Sequence, residues 1–462
     1  MKQQETITAI STGKGGAIGI IRISGEKAID ITDNFFSGIS GKKLSSVRPF
    51  SICYGYFNDL SGKRIDDVLV SVFHNPHSYT GEDMIEISCH GSSYIQQQIL
   101  TQLIAGGARM AEAGEFTLRA YLNGKMDIVQ AEAVADLIAA ESAASHRLAV
   151  NQMRGGYSKE FAELREQLLN FVSLLELELD FGEEDVEFAD RTRIRQLLCD
   201  IREKVSRLVQ SFRQGNAIKN GVPVAIVGAP NSGKSTLLNA LLNEERAIVS
   251  DIAGTTRDVI EETIHLGGVL FRFIDTAGIR HTTDKLENLG IERTFDRLNK
   301  AHIIFLLLDG GMPEKEITAQ ISQIKKEDYQ KLIIIINKSD LYAHEKLSKQ
   351  KNFIATFHPD AIFIISARCH TGIDIIEKYL TDEYAVNLSS ENVIISNTRH
   401  YDLLSHALTS IDRALNGIDT NLPTDLISQD IRETLHHLGS LTGEITNQNI
   451  LSNIFANFCI GK

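Results

Sequence analysis

The sequence predicts a multidomain chain: an α+β N-terminal domain, then a helical domain, with an α/β domain inserted between the two parts of that helical domain. Three observations carry this prediction. At 462 residues the chain exceeds what one hydrophobic core ordinarily organises, so two to four domains are expected. The period of the apolar residues changes repeatedly along the chain. Finally, one central stretch has apolar runs of strand length separated by helix-length spacers, which is how a parallel sheet covered on both faces reads.

From Thr6 to about Arg119, alternating runs such as "AIGIIRIS", "VLVSVFH" and "MIEISCHG" are broken by Gly, Asn and Asp. They read as strands with intervening helices. After about Tyr121, "DIVQAEAVADLIAAESAASHRLAV", "FAELREQLLNFVSLLELEL" and "IRQLLCDIREKVSRLVQSF" place apolar residues three and four apart, as helices do. From Gly221 the runs "VPVAIVG", "LFRFIDTAG", "AHIIFLLLDG", "KLIIIINKSD" and "IFIISAR" predict the strands of the inserted domain. Helical spacing returns from about Asn397 in "HYDLLSHALTSIDRAL" and "DIRETLHHLGSL". The expected boundaries are 1–120 for the N-terminal domain, 121–216 and 385–462 for the two helical parts, and 217–384 for the insertion. The acidic stretch "DFGEEDVEF" reads as a solvated helix end.

Bulk composition excludes several classes. A net charge of −13 with no Lys/Arg run argues against a wide nucleic-acid grip, so any RNA substrate is expected to be held by a small patch or by a companion protein. Five cysteines without a CxxC pair argue against a disulfide framework and a zinc site. Cys53, Cys89, Cys199 and Cys369 sit in apolar patterns and are expected in the core. No run of eighteen apolar residues occurs, and "MKQQETITAI" lacks the features of a signal peptide, so a cytoplasmic protein without a membrane span is expected. The C-terminal "NFCIGK" is not a prenylation box, because Gly461 and Lys462 occupy the last two places. A redox thiol, a frayed tail and a docked catalytic tail remain.

The strongest motif is "GAPNSGKS", Gly228 to Ser235, which follows the strand "VAIVG" and opens the helix "STLLNALL". Consecutive backbone N–H groups there form an anion nest, reinforced by the helix N-terminus. Lys234 reaches the outer phosphates and the Ser235 hydroxyl takes a place on Mg2+. Downstream, "DTAG" (Asp275, Thr276, Ala277, Gly278) ends a strand where the Asp275 carboxylate can hold Mg2+ through water and Gly278 can meet a γ-phosphate. "NKSD" (Asn337 to Asp340) and "SAR" (Ser366, Ala367, Arg368) end two later strands. The Asp340 carboxylate can accept two hydrogen bonds from the guanine edge, which adenine cannot supply. In this order the motifs resemble those of the P-loop GTPases, which makes GTP the expected nucleotide. Where the Ras-like pattern has a water-orienting Gln after "DTAG", this chain has Ile279, so another group must position the water.

With "IVSDIAGTTRD", "DTAGIR", the inserted layout and "FCIGK", the whole chain resembles the MnmE (TrmE) family of tRNA-modification GTPases. That resemblance implies an α+β folate-binding N-terminal domain that also dimerises, a helical domain and an inserted α/β P-loop GTPase domain. It implies GTP contacts from Asn231, Ser232, Gly233, Lys234, Ser235, Thr236, Ser250, Asp251, Ile252, Ala253, Gly254, Thr255, the "DTAG" residues, Asn337, Lys338, Asp340 and the "SAR" residues. It also implies K+ on Asn231, Ser250, Ile252 and Thr255, with Thr256 and Asp275 joining Ser235 on Mg2+, and Glu287 orienting water. For the N-terminal domain it implies formyl- or methylene-tetrahydrofolate on Arg22, Glu86, Lys125 and Lys462. Ser92 stands where the family's "CHGG" loop has a second Gly. The implied partners are a second copy of the chain, an MnmG-type flavoprotein that carries FAD and forms a hetero-oligomer, and tRNA.

"NQNILSNIFANF" carries Ile450, Leu451, Ile454, Phe455 and Phe458 at helical spacing, which predicts a tail anchored on an apolar surface. Such a tail brings Cys459 and Lys462 to a defined place beside the folate. There Cys459 is either a catalytic nucleophile or proton carrier, or a small packing residue.

Overall fold

The computed structural model describes residues 5–13, 15–156, 158–180, 191–242, 262–274, 301–385 and 394–445, together with 451, 454–456, 458 and 460–461. The chain divides into two compact units. One comprises Met1–Ala135, Gln152–Ile194 and Asn416–Lys462, the other Asp136–Asn151 and Arg195–Leu415.

The first unit is built on strands β1 (Ile7–Ile10), β2 (Ile18–Ser24), β3 (Phe36–Gly38), β4 (Ser51–Asn58), β5 (Arg64–Phe73), β6 (Met84–His90) and β7 (Arg109–Met110). They form one sheet in the order β3-β4-β5-β6-β2-β1-β7, antiparallel except for the parallel pair of β1 and β7. Because strand side chains alternate, Ile21 and Ile23, Val68, Val70 and Val72, and Ile85 and Ile87 all point to one face. They are buried there with Ile29 and Ile31 of α1 (Ala28–Asp33) and with Ile99, Leu100 and Leu103 of α2 (Ser93–Ala105). Arg22 and Glu86 belong to the opposite face, where their register pairs them across β2 and β6.

Helix α3 (Glu115–Leu122) closes part of that second face, Phe116 packing with Ile7, Ala9 and Ala111. The helices read from 3.6-residue spacing follow: α4 (Ile128–Ile138), α5 (Ala143–Met153), α6 (Ser158–Asp180), α7 (Arg191–Asn220) and, late in the chain, α12 (Thr398–Asp419) and α13 (Thr424–Thr442). Helix α6 packs along α13. Each contributes one apolar stripe, with Phe161, Leu164, Leu168 and Val172 on α6 and Ile427, Ile431, Leu435 and Leu438 on α13 all buried.

The second unit contains β8 (Val222–Val227), β9 (Glu262–Leu266), β10 (Val269–Phe273), β11 (Ile303–Asp309), β12 (Lys331–Asn337) and β13 (Ala361–Ile364), ordered β13-β12-β11-β8-β10-β9. The unbroken apolar runs arise because both faces are covered. Phe305 and Leu307 of β11 pack with α8 (Lys234–Leu242) and α11 (Ile373–Ala385). Ile304, Leu306 and Leu308 pack on the other side with α9 (Glu314–Ser322) and α10 (His344–Ala355). The expected parallel sheet needs one correction: β9 is an antiparallel edge strand paired with β10. Their two-residue turn, Gly267–Gly268, has φ of +57° and +82°, the geometry that suits the right-handed twist of a hairpin.

The cysteine expectation is also corrected. Cys89 is buried, and burial pushes its thiol up to about 11, but Cys53 and Cys199 are only half-buried and Cys369 is exposed. Cys369 follows "SAR" in a turn, beyond the end of the apolar strand pattern. The acidic stretch at 181–188 lies outside the described residues.

A buried ionic network ties the ends of the first sheet together. Arg119, 3% exposed, donates to both Glu82 oxygens at 3.0 Å, to Glu115 at 3.0 Å and to the Glu5 carbonyl at 2.8 Å. Arg109 grips Glu115 with two nitrogens at 2.8 and 2.6 Å, and Ser24 donates to Glu82 at 2.7 Å. Burial alone would push the Glu115 carboxyl up, but the bonds from Arg109, the Glu112 amide and Arg119 outweigh it and hold it below the usual range. Removing one partner strands buried charge, so Arg119→Ala should lower the stability of this unit by about 3–5 kcal/mol. Chemical denaturation monitored within residues 1–135 checks this; a change below about 0.5 kcal/mol contradicts it.

Candidate functional site

The nucleotide loop leaves β8 at the crevice between β8 and β11, on the carboxyl side of the sheet, where open α/β sheets bind ligands. Two glycines set its path. Gly228 has φ of +151°, and a Cβ there would lie 2.3 Å from the Leu307 carbonyl oxygen of β11. Gly233 has φ of +101°, and a Cβ there would lie 2.3 Å from Asn337 Nδ2. The backbone is therefore free to curl tightly before α8 begins at Lys234. Lys234 Nζ donates to the Gly228 and Ala229 carbonyls, each at 2.9 Å, which folds its ammonium over the loop. Burial pushes its pKa down, a cost that an anion in the loop would offset. Ser235 lies in the first turn of α8, Thr236 beside it is exposed, and Asn231 is exposed with φ of +62°. Ser232 is 2% exposed, and its hydroxyl is buried without a hydrogen-bond partner among the described residues.

The "NKSD" and "SAR" motifs are locked to this loop. Asn337, also 2% exposed, donates from Nδ2 to the Ser232 carbonyl at 2.8 Å and accepts at Oδ1 from the Ala367 amide at 3.0 Å. One carboxamide thus spaces "NSGKS", "NKSD" and "SAR". Ser366 Oγ donates to Asp340 Oδ1 at 2.5 Å, and the Ser339 amide donates to the Ile365 carbonyl at 3.0 Å. Asp340 is exposed at the rim, aimed by that serine, and Arg368 is exposed beyond it. Lys338 has φ of +63° and pairs through Nζ with Asp309 at 2.7 Å. Burial alone would raise the Asp309 pKa, yet bonds from Lys338, the Gly311 amide and Tyr342 hold it below the usual range. Asp309 escaped the sequence reading; its only signal was an acid at the end of "FLLLD", the strand beside the loop.

In the first unit Arg22 Nε donates to Glu86 Oε1 at 2.7 Å, both side chains about a quarter exposed. Lys125 Nζ donates to the Pro76 carbonyl at 2.9 Å. The tail is anchored as expected. Leu451, Phe455 and Phe458 are buried, Ile460 bridges Ala113 in antiparallel fashion, and the Gly461 carbonyl accepts from Ser11 Oγ at 3.0 Å and Arg22 Nη1 at 3.4 Å. Ser250, Asp251, Ile252, Ala253, Gly254, Thr255, Thr256, Asp275, Thr276, Ala277, Gly278, Ile279, Glu287, Ile450, Cys459 and Lys462 lie outside the described residues.

A family model described as the MnmE helical domain matches residues 128–459, and one described as the GTP-binding protein TrmE N-terminus matches residues 6–125. The chain belongs to the tRNA modification GTPase MnmE family. Proteins of that name from Bacteroides fragilis and Bacteroides thetaiotaomicron are each 52% identical over 99% of this chain and 100% of their own length. The Flavobacterium johnsoniae protein of that name is 52% identical over 100% of both. Among solved structures, the G domain of the T. maritima FeoB iron transporter aligns with 36% of this chain and 98% of its own at 24% identity, with a TM-score of 0.25. Among the described residues no helix is long and apolar enough to cross a membrane.

For this MnmE-family chain, Asn337→Ala should leave the buried Ser232 carbonyl and Ala367 amide unpaired, at about 1–3 kcal/mol each. Guanine nucleotide affinity should fall at least about tenfold, with circular dichroism unchanged. Titration with a fluorescent GDP analogue checks it, and wild-type affinity in the variant contradicts the bridging role.

Proposed function

We propose that the chain is a K+-activated GTPase that, with a flavin-dependent partner, modifies C5 of the wobble uridine of tRNA. The group installed is of the aminomethyl or carboxymethylaminomethyl type, its one-carbon unit carried by tetrahydrofolate. The observation that carries this reading is the carboxamide of Asn337, which joins a phosphate loop to the "SAR" turn whose Ser366 aims the Asp340 carboxylate, in a chain of the MnmE family.

GTP fits the loop on two counts: glycine at 228 and 233 lets the backbone curl where a Cβ would strike the Leu307 carbonyl and Asn337, and the buried Ser232 hydroxyl has no hydrogen-bond partner among the described residues. The backbone N–H groups of the loop hold the phosphates, and Lys234, released from the carbonyls of its own loop, moves to their outer oxygens. Asp340 accepts from guanine N1–H and the exocyclic amine. Ser235, with Thr256 and Asp275, would hold Mg2+, which neutralises charge between the β- and γ-phosphates. Asn231, Ser250, Ile252 and Thr255 would hold K+, which supplies positive charge where an arginine finger stands in other GTPases. The exposed, left-handed Asn231 is compatible with that use. Glu287 orients water in place of the absent Gln at Ile279.

The Arg22–Glu86 pair fits an anionic, amide-bearing ligand such as a folate, since the arginine donates and the carboxylate accepts. Lys125 and Lys462 would add charge, and Cys459 would serve as nucleophile or proton carrier. The chain works as a homodimer, and an MnmG-type flavoprotein supplies FAD in a cytoplasmic complex with tRNA. A weak RNA grip by this chain alone accords with its net charge of −13.

Mass spectrometry of tRNA nucleosides from a deletion strain tests the reading as a whole. C5-modified wobble uridines should disappear, and an unchanged nucleoside profile overturns it. Replacing K+ by Na+ should slow GTP turnover by a factor approaching the roughly 10³ to 10⁵ of an arginine finger while GTP binding persists; equal turnover in the two salts refutes the K+ assignment. Asp340→Asn should shift preference from GTP to xanthosine triphosphate, because the amide donates where the base amine has become a carbonyl. Competition binding reads this directly, and undiminished GTP preference would show the base-reading strand to be misassigned.

A further inference from the structure

Arg22 has three neighbours in three parts of the first unit. Its Nε is bonded to Glu86 on β6, its Nη1 reaches the Gly461 carbonyl of the tail, and its guanidinium carbon lies 5.7 Å from the centroid of the Tyr79 ring. At that distance a ring attracts a guanidinium electrostatically and also limits its rotation. Tyr79 is itself fixed. Its hydroxyl bonds Thr117 on α3 at 2.9 Å, and its ring packs against the cluster of Ile7, Ala9, Ala111 and Phe116.

The other end of the contact is equally constrained. The Gly461 carbonyl accepts from Ser11 Oγ at 3.0 Å as well as from Arg22. Gly461 has φ of +96°, and a Cβ there would stand 2.3 Å from the Ile10 carbonyl oxygen, so the tail can approach β1 this closely only as glycine. One residue earlier, Ile460 bridges Ala113. Gly114, whose φ is +65°, lies under Phe455 and Phe458, where a Cβ would come within 2.8 Å of the Phe455 carbonyl.

We propose that Ser11 and Tyr79 are positioning residues of the N-terminal site. Ser11 fixes the Gly461 carbonyl, and Tyr79 holds the Arg22 guanidinium between that carbonyl and Glu86. The arginine that would receive an anionic ligand is then the one that docks the tail. Ligand and tail are linked through one donor group, and linkage is reciprocal: whatever tightens the Arg22 geometry for one tightens it for the other. The link to a tetrahydrofolate ligand rests on the function proposed above; the docking of the tail by Ser11 and Tyr79 does not.

Hydrogen–deuterium exchange of the C-terminal peptide in the full chain separates these statements. One hydrogen bond or cation–π contact is worth about 1 kcal/mol, so Ser11→Ala and Tyr79→Leu should each speed exchange in the segment around Gly461 by about fivefold. Tyr79→Phe keeps the ring over Arg22 and should retain wild-type protection. Circular dichroism confirms that each variant is folded, and Ser11→Ala, a surface hydroxyl deletion, serves where Tyr79→Leu does not fold. Unchanged exchange in Ser11→Ala and Tyr79→Leu overturns the proposal, and so does exchange in Tyr79→Phe as fast as in Tyr79→Leu. In a second arm, calorimetric titration with 5-formyltetrahydrofolate should show weaker binding to Tyr79→Leu than to Tyr79→Phe. No binding to the wild-type chain would refute the folate reading and leave the exchange result to judge the positioning roles alone.

Discussion

The first unit depends on the return of the last residues of the chain to its first strand. Gly461 and Ile460 lie against Ile10, Ser11 and Ala113, and Phe455 and Phe458 lie against Gly114 at the start of α3. These contacts join segments more than 300 residues apart in sequence, among them Ser11 with Gly461 and Tyr121 with Gly443. A tail held this way is ordered by glycine geometry and buried aromatic area together, so neither a long hydrophobic run nor a disulfide is needed.

The second unit solves a different problem with the same economy. A loop that must bind phosphate needs free N–H groups, so few of its own groups can stabilise it. Asn337 supplies the missing support from the end of β12, two strands away, tying the loop and the "SAR" turn to one buried side chain. Ser366 then aims Asp340, and Asp309 restrains Lys338. Asp340 and Lys338 are therefore positioned by the ends of β11, β12 and β13, parallel strands held in register.

Much of this was legible in the sequence. The strands around "IIRIS" and "MIEIS" announced themselves by alternation, the helices from Ile128 onward by their stripes, and the phosphate loop by a strand–loop–helix context that few other functions require. The two-residue β7 and the edge strand β9 were not legible. Two residues carry no period, and β9 alternates around polar Glu262 and His265, its one local signal being the Gly267–Gly268 turn. Cys369 was misplaced because its apolar neighbours belong to the strand that ends before it. Ser11 and Tyr79 could not be read from sequence either, since their significance comes from a glycine carbonyl and an arginine brought to them by folding.

The central claim is that the chain holds two separable chemistries, nucleotide hydrolysis on its six-stranded sheet and uridine modification at the site closed by its tail. The most direct measurement compares the intact chain with one ending at Phe458, recording GTP turnover in vitro and wobble-uridine nucleosides in a complemented deletion strain. The account predicts that GTP turnover survives in the shortened chain while the C5-modified nucleosides are lost. Full restoration of the modified nucleosides by the chain without Cys459, Ile460, Gly461 and Lys462 would contradict it.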